Sequence, residues 1–325
     1  VTLASLGIGT RQVESRFVLG CAPLGNLFAP VSEADALATL EAAWDAGTRA
    51  FDTAPHYGVG LSEERLGKFL RERDRSEFVV STKVGRLLVA SDDEVSGVEG
   101  FYETPPRTRV LDYSARGVRR SIEESCERLG LECIDIALIH DPDNFEDAAF
   151  NEAYPALVEL RERGVVKAIG VGMNQVPMVE RFVRETDIDC ALVAGRYSLL
   201  NDDIGPSFFE LCEKRNVALL LAGVFNSGVL ANPSPEATYN YQPVSASLLA
   251  RVEAIRAACE RFDVSLRVAA VQYALRAPSV AAVVVGARSA DEVVDDIACL
   301  YASPPDALFQ ELRDLQLIER TDGRS

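Results

Sequence analysis

Residues 51–67 read FDTAPHYGVGLSEERLG. The preceding TRAF is apolar and runs into an acid at Asp52. A tyrosine follows five residues later at Tyr57, then a glycine-rich turn, then SEERLGKFL. That order is strand, polar loop, helix, the unit from which parallel α/β sheets are assembled. It recurs along the chain. Runs rich in β-branched residues lie at 17–24, 48–54, 78–84, 134–140, 166–173, 188–195, 217–223 and 280–286, separated by longer amphipathic stretches. Ser32, Ser62, Ser114 and Ser289 precede such stretches as candidate N-caps, and Gly130 closes one of them.

Eight strands with interleaved helices close naturally into a (β/α)8 TIM barrel. An open doubly wound sheet would more often carry G-x-G-x-x-G after its first strand. GVGMNQ and YGVGLSEE come nearest to it and lack the spacing. With no Gly/Ser- or Pro-rich linker in 325 residues, one domain over 1–318 is expected. VTLASLGIGT (1–10) is expected to form a hairpin across the barrel bottom, and ERTDGRS (319–325) to fray as a disordered tail. Long loops are expected after strands three and seven, at 86–113 and 224–243, on the face where barrels build their active sites.

Composition excludes several classes. A formal charge of −17 argues against nucleic acid and anionic membrane as partners, because a phosphate backbone needs a basic surface. No segment has the roughly 18 apolar residues of a membrane span, and residues 1–10 lack a basic-then-apolar pattern, so no secretion signal is expected. Seven scattered cysteines without a C-x-x-C pair read as reduced, buried thiols of a cytoplasmic protein. Two histidines cannot supply H-E-x-x-H, and HDPDN (140–144) lacks the glycine and distal glutamate of a calcium loop, so no metal site is expected. A small-molecule substrate and a monomer or small homo-oligomer fit these limits.

Four polar residues stand at the ends of successive strands: Asp52 and Tyr57 on the second, Lys83 on the third, His140 on the fourth. Singly, each has an ordinary structural explanation: an Asx turn, a packing aromatic, a surface cation, a helix cap. Together they converge, because the ends of neighbouring strands share one face. The chain has only four lysines and two histidines, so the coincidence carries weight. A phenol of pKa about 10 is a poor base at neutral pH. An ammonium roughly 4 Å away, at an effective dielectric of about 20, favours the phenolate by about 4 kcal/mol, or about three pKa units before desolvation. Asp52 would hold Lys83 charged and aimed, and His140 would orient a substrate oxygen. His56, beside Tyr57, lines the same space or stacks nearby.

FDTAPHYGVGLSEERLG, STKVG, LIHDPD and GVGMNQ together resemble the aldo-keto reductase superfamily over essentially the whole chain. The resemblance implies Tyr57 as general acid/base, Lys83 and Asp52 as its tuning pair, and His140 as the substrate-orienting residue. It implies a nicotinamide cofactor, NAD or NADP, lying extended across the strand ends. Gly20, Cys21, Ala22 and Asp52 fall along that path. The Ser-Asn pair that grips the nicotinamide amide is Met173-Asn174 here, so only Asn174 matches. The glutamine of the sixth strand is replaced by Ala194 and the stacking tyrosine of the seventh by Ala222 or a neighbour, which leaves Phe225 to cover the ring.

The turn Phe225, Asn226, Ser227, Gly228 offers backbone N–H groups to a pyrophosphate. GARSADEVVDD (286–296) supplies Gly286, Arg288, Ser289, Glu292, Asp295 and Asp296 around the adenosine, at a helix N-terminus. Glu292 stands where NADP-preferring members carry an arginine. It would repel a 2′-phosphate, which leans the reading to NAD, with NADP as the alternative that Arg288 favours.

APLGN, STKVGRLL, AGRYSLL and GVFNSGVL are similar to the sugar 1-dehydrogenases of D-threo-aldoses such as L-fucose, and to the pyridoxal 4-dehydrogenases. The activity so implied is NAD(P)-dependent oxidation of a small aldose at C1 to its lactone, with His56, Tyr57 and His140 facing the substrate. Pyridoxal as its cyclic hemiacetal is the rival. A general aldehyde or ketone reductase comes next, and a nucleotide-binding regulatory subunit is the alternative of another class.

Overall fold

A computed structural model describes residues 16–91, 97–240 and 242–318. The expected N-terminal hairpin and the C-terminal tail lie outside the described residues. Eight parallel strands close into a barrel in sequential order: Phe17–Gly20, Ala50–Asp52, Val79–Val84, Ile134–His140, Val166–Met173, Cys190–Ala194, Ala218–Ala222 and Val280–Gly286. Each lies within one of the eight runs marked in the sequence. The strand Phe17–Gly20 is shorter than its run, because Pro23 starts a 3-10 turn over Pro23–Gly25.

Side-chain alternation divides the apolar residues between two cores. Val18, Val79, Leu138, Leu192, Leu220 and Val284 pack inside the barrel. Phe17, Leu19, Phe51, Val80, Ile139 and Val171 point outward against the helices. Ser32, Ser114 and Ser289 cap their helices by accepting from the N–H three residues on, and Gly130 ends the helix Ala115–Leu129 in a left-handed conformation.

Ser62 does otherwise. The helix Leu61–Leu70 starts one residue earlier, behind Gly60 at φ 95°, so Ser62 sits inside it and buried. Its Oγ donates to the Cys21 carbonyl at 2.7 Å and meets Thr53 Oγ1 at 2.8 Å, tying the helix to two strand ends.

The long connections are also more ordered than loops. Arg86–Ala90 pairs antiparallel with Arg107–Leu111, with Arg86 opposite Leu111 and Ala90 opposite Arg107. This hairpin buries Leu87 and Leu88 and stands beside the barrel mouth. After the seventh strand, Thr238–Tyr239 pairs with Gln242–Pro243 in a smaller ribbon.

Candidate active site

Register brings the four polar strand-end residues together. Gly20 pairs with Asp52, Asp52 with Ser81, Lys83 with Leu138, and His140 with Gly172. Lys83 is 1% exposed. Its Nζ donates to Asp52 Oδ2 at 2.7 Å and to the Thr53 carbonyl at 2.9 Å, and it also hydrogen-bonds the Tyr57 side chain. An ammonium has three protons, and each has a partner here. Burial works against its charge, but Asp52 and Tyr57 outweigh that, and the lysine is held above its ordinary pKa. The ammonium lies 4.6 Å from the centre of the Tyr57 ring.

Tyr57 is placed by two glycines. A Cβ on Gly25 would stand 2.6 Å from the Tyr57 carbonyl carbon, and one on Gly58 would stand 2.4 Å from the Gly25 oxygen. Only bare backbone lets these loops pass so closely. Arg109 adds a second hold, donating from Nη2 to the His56 carbonyl at 2.9 Å.

His140 stands edge-on to Tyr57, ring centres 6.0 Å apart, and edge-on to His56 at 5.5 Å. Tyr113 donates to the His140 carbonyl at 2.6 Å, which fixes the strand end. Burial, then Lys83, His56 and Arg86, holds His140 well below its usual pKa. Burial, then Arg86, Arg109 and Lys83, drives His56 down to about 2. Both imidazoles are therefore neutral at pH 7, and a neutral imidazole can orient an oxygen without charging it. A phenol hydrogen-bonded to a fixed ammonium can pass a proton.

The wall facing this group came from residues that periodicity alone did not single out. Phe101 stacks on Tyr57 at 6.3 Å and meets His56 edge-on at 5.2 Å. Arg86, Glu99, Arg109 and Asp141 surround the two histidines. The apolar run LLVA at 87–90 was the available signal for the hairpin that carries the two arginines.

Several groups expected at the nucleotide already have partners within the fold. Cys21 is fully buried, its N–H donates to the Asp52 carbonyl at 2.7 Å, and its own carbonyl accepts from Ser62. Its N–H is therefore spent on the fold. In the turn Phe225–Gly228, the Asn226 and Gly228 N–H groups are taken by the Gly223 and Phe225 carbonyls. Asp296 is 2% exposed and ion-paired with Arg267, whose guanidinium also lies 5.1 Å from the centre of the Phe225 ring. Burial still pushes the Asp296 carboxyl up to about 7. Asp295 is exposed one turn beyond Glu292.

The other residues expected along the nucleotide path lie nearby. Gly20 and Gly286 pair across neighbouring strands, Ala22 leads into the Pro23–Gly25 turn, and Asn174 is exposed just past the fifth strand. A Cβ on Gly286 would approach Pro23 Cγ to 2.9 Å, so that glycine answers to packing as well. Ser289 Oγ accepts from the Glu292 N–H at 3.2 Å, while Glu292 Oε2 accepts from the Arg288 N–H at 2.8 Å. The helix start is thus capped by its own carboxylate.

Two orphaned groups fit a polar ligand lying across this face. Asp52 Oδ1 has no hydrogen-bond partner, and the buried Asn226 side chain has none at either its oxygen or its nitrogen. Leaving such groups unsatisfied costs about 1–3 kcal/mol each, which a bound nucleotide with hydroxyls and phosphates would relieve. Among the described residues, no cluster of three His, Cys, Asp or Glu could hold a metal ion, and no helix is long and apolar enough to cross a membrane.

The Aldo/keto reductase family profile matches residues 16–315. A D-threo-aldose 1-dehydrogenase from Pseudomonas sp. is 42% identical over 92% of this chain and 93% of its own length. A pyridoxal 4-dehydrogenase from Microbacterium luteolum is 38% identical over 98% of this chain and 95% of its own. Among solved structures, a glycerol dehydrogenase from Gluconobacter oxydans superposes with a TM-score of 0.77 at 22% identity, over 98% of this chain and 97% of that one.

Proposed function

The chain belongs to the aldo/keto reductase family of NAD(P)-dependent oxidoreductases, and from that premise we propose that it oxidises a small aldose at C1 to the lactone, with NAD as the preferred acceptor. The observation that carries the reading is the fully engaged Lys83 ammonium between Asp52, Thr53 and Tyr57, at the same barrel mouth as His140.

The nicotinamide nucleotide, when bound, supplies the two-electron acceptor for C1. Asp52 and Asn226 carry the unsatisfied groups that would hold it, with Asn174 and the Arg288–Glu292 helix start along the same face. Tyr57, favoured as phenolate by the adjacent cation, takes the proton of the anomeric hydroxyl. Lys83 stabilises the charge on the phenolate before that transfer, and Asp52 keeps Lys83 aimed. His140, uncharged, donates to or accepts from the C1 oxygen and fixes its approach. In the reductive direction Tyr57 returns the proton to a carbonyl oxygen.

A second reading has its own support. The Phe101 ring stacked on Tyr57 and edge-on to His56 forms an aromatic wall that suits a planar pyridine. Pyridoxal in its hemiacetal form presents the same hydroxyl-bearing carbon, and the relative at 38% identity is named for it. Steady-state reduction of NAD⁺ with L-fucose, D-arabinose, L-galactose and pyridoxal decides between them. The aldose reading expects kcat/KM for one of the sugars to exceed that for pyridoxal at least tenfold. Pyridoxal as the better substrate overturns it, and turnover on none of the four, with NAD(H) bound, points to a binding protein.

A further inference from the structure

The wall of the site away from Lys83 is built of charges that cancel. Glu99 Oε2 lies 3.5 Å from His56 Nδ1 and 3.3 Å from Arg109 Nη1, and its Oε1 lies 3.6 Å from Arg86 Nη1. Arg86 Nη2 lies 3.3 Å from Asp141 Oδ2, which is itself 3.5 Å from His140 Nε2. Two guanidinium groups and two carboxylates therefore bracket the two neutral histidines beside Tyr57, with no surplus of either sign.

Two features set Glu99 apart from an ordinary ion-pair partner. Its backbone is in the left-handed region, φ 53°, between Gly97 at 84° and Gly100 at 81°. A side chain in that region costs on the order of 1 kcal/mol and persists only where the surroundings impose it. Here the turn is clamped by Gly97 N–H to the Phe101 carbonyl at 2.6 Å and Phe28 N–H to the Gly100 carbonyl at 2.8 Å.

The second feature is spacing. The Glu99 contacts run from 3.3 to 3.6 Å, whereas Lys83 and Asp52 close to 2.7 Å. Charge-assisted hydrogen bonds normally draw in to about 2.7–2.9 Å. The Glu99 side chain is 47% exposed against 15% for Arg86 and 9% for Arg109. Of the two loosely held carboxylates Glu99 is the more exposed, at 47% against 26% for Asp141. Arg86 Nε and the Nδ1 atoms of His56 and His140 have no hydrogen-bond partner.

We propose that Glu99 selects uncharged polyhydroxylated rings: it neutralises Arg86 and Arg109 and accepts a ring hydroxyl, so that phosphate- or carboxylate-bearing forms of the same ring are rejected. The inference rests on the reading of Tyr57 as the reacting group. A hydroxyl entering this gap can donate to Glu99 while accepting from an arginine. An anion would meet guanidinium groups already compensated, and would lose its hydration without gaining a net countercharge.

The test compares L-galactose with L-galactose 6-phosphate, which differ only at C6, in the native protein and in Glu99→Gln. The native protein is expected to favour the uncharged sugar at least tenfold in kcat/KM. Glu99→Gln leaves the arginines uncompensated. It is expected to lose about tenfold on L-galactose, chiefly through KM, and to narrow the preference at least tenfold. Equal use of both sugars by the native protein overturns the proposal, as does an unchanged preference in a folded Glu99→Gln. If that variant does not melt cooperatively, the native comparison alone decides. If no aldose is oxidised, the substrate reading fails while this proposal stays testable. Reduction of benzaldehyde against 4-carboxybenzaldehyde with NAD(P)H then supplies the same neutral and anionic pair, with the same expected preference and the same overturning result.

Discussion

The Lys83 ammonium hydrogen-bonds the Tyr57 side chain from a position 4.6 Å from the centre of its ring. Because its other donors are taken by Asp52 and Thr53, the cation cannot swing away when substrate enters. If this pair is the proton-transfer unit, replacing Tyr57 by Phe should lower kcat by about 10²–10⁴-fold while NADH affinity changes little. Steady-state kinetics and a fluorescence titration measure the two quantities. Retention of more than a tenth of the activity would remove Tyr57 from the acid/base role.

Lys83→Met should move the pH profile of oxidation upward. A nearby cation favours the phenolate, so its loss raises the pH at which the phenolate forms. Alone, the change strands a buried carboxylate at Asp52, a loss of about 3–5 kcal/mol. The pair Asp52→Asn with Lys83→Met avoids that unpaired charge and should show the same upward movement. An unmoved profile in the folded double variant contradicts the tuning.

Gly25→Ala should disturb Tyr57 from behind. The new methyl would meet the Tyr57–Gly58 peptide, 2.6 Å from the Tyr57 carbonyl carbon and 2.8 Å from the Gly58 nitrogen, where no flexible side chain can yield. A displacement of this kind is expected to cost at least about tenfold in kcat, since proton transfer tolerates little misplacement. Gly205→Ala has open space around its Cβ and serves as the control. Equal activities would show that the close passage does not position the tyrosine.

Cofactor choice should answer to Glu292. Its carboxylate accepts from the Arg288 N–H and lies 3.5 Å from that guanidinium. Glu292→Gln frees Arg288 and removes a charge that would repel a 2′-phosphate. The NADP-to-NAD ratio of kcat/KM should then rise about tenfold. A ratio that stays fixed, or a native protein that already prefers NADP, refutes the preference for NAD.

Acid should destabilise the fold through the two histidines. Burial holds His56 down to about 2 and His140 well below 6.5, so the unfolded chain binds more protons at low pH. Their contribution is intact above about pH 6.5 and is lost as pH falls toward the folded-state values. Each histidine adds a slope of up to about 1.4 kcal/mol per pH unit in that window. His56→Gln should flatten the fall in melting temperature below pH 6.5. An identical acid limb in the variant would mean that His56 is not held neutral.

The sequence was most informative where the requirement is local. Three of its eight strand runs, at 134–140, 166–173 and 280–286, match the observed strands end to end. Ser32, Ser114 and Ser289 cap as their positions suggested. Ser62 did not, because a glycine two residues earlier turned the chain first. The hairpin at 86–111 was read as loop, since RLLVA and RTRVL do not alternate and an acidic stretch, SDDEVSGVEG, lies between them.

Asp52, Tyr57, Lys83 and His140 could be found from sequence because consecutive parallel strands end on one face, so position along the chain converts directly into proximity. The reach of Glu99 to His56, Arg86 and Arg109 had no such rule. Nor did the pairing of Asp296 with Arg267, or the consumption of the Cys21 and Asn226 N–H groups. Those contacts join residues whose separation follows no period, and the path of the intervening loops alone determines which polar groups are spent on the fold and which are left for a ligand.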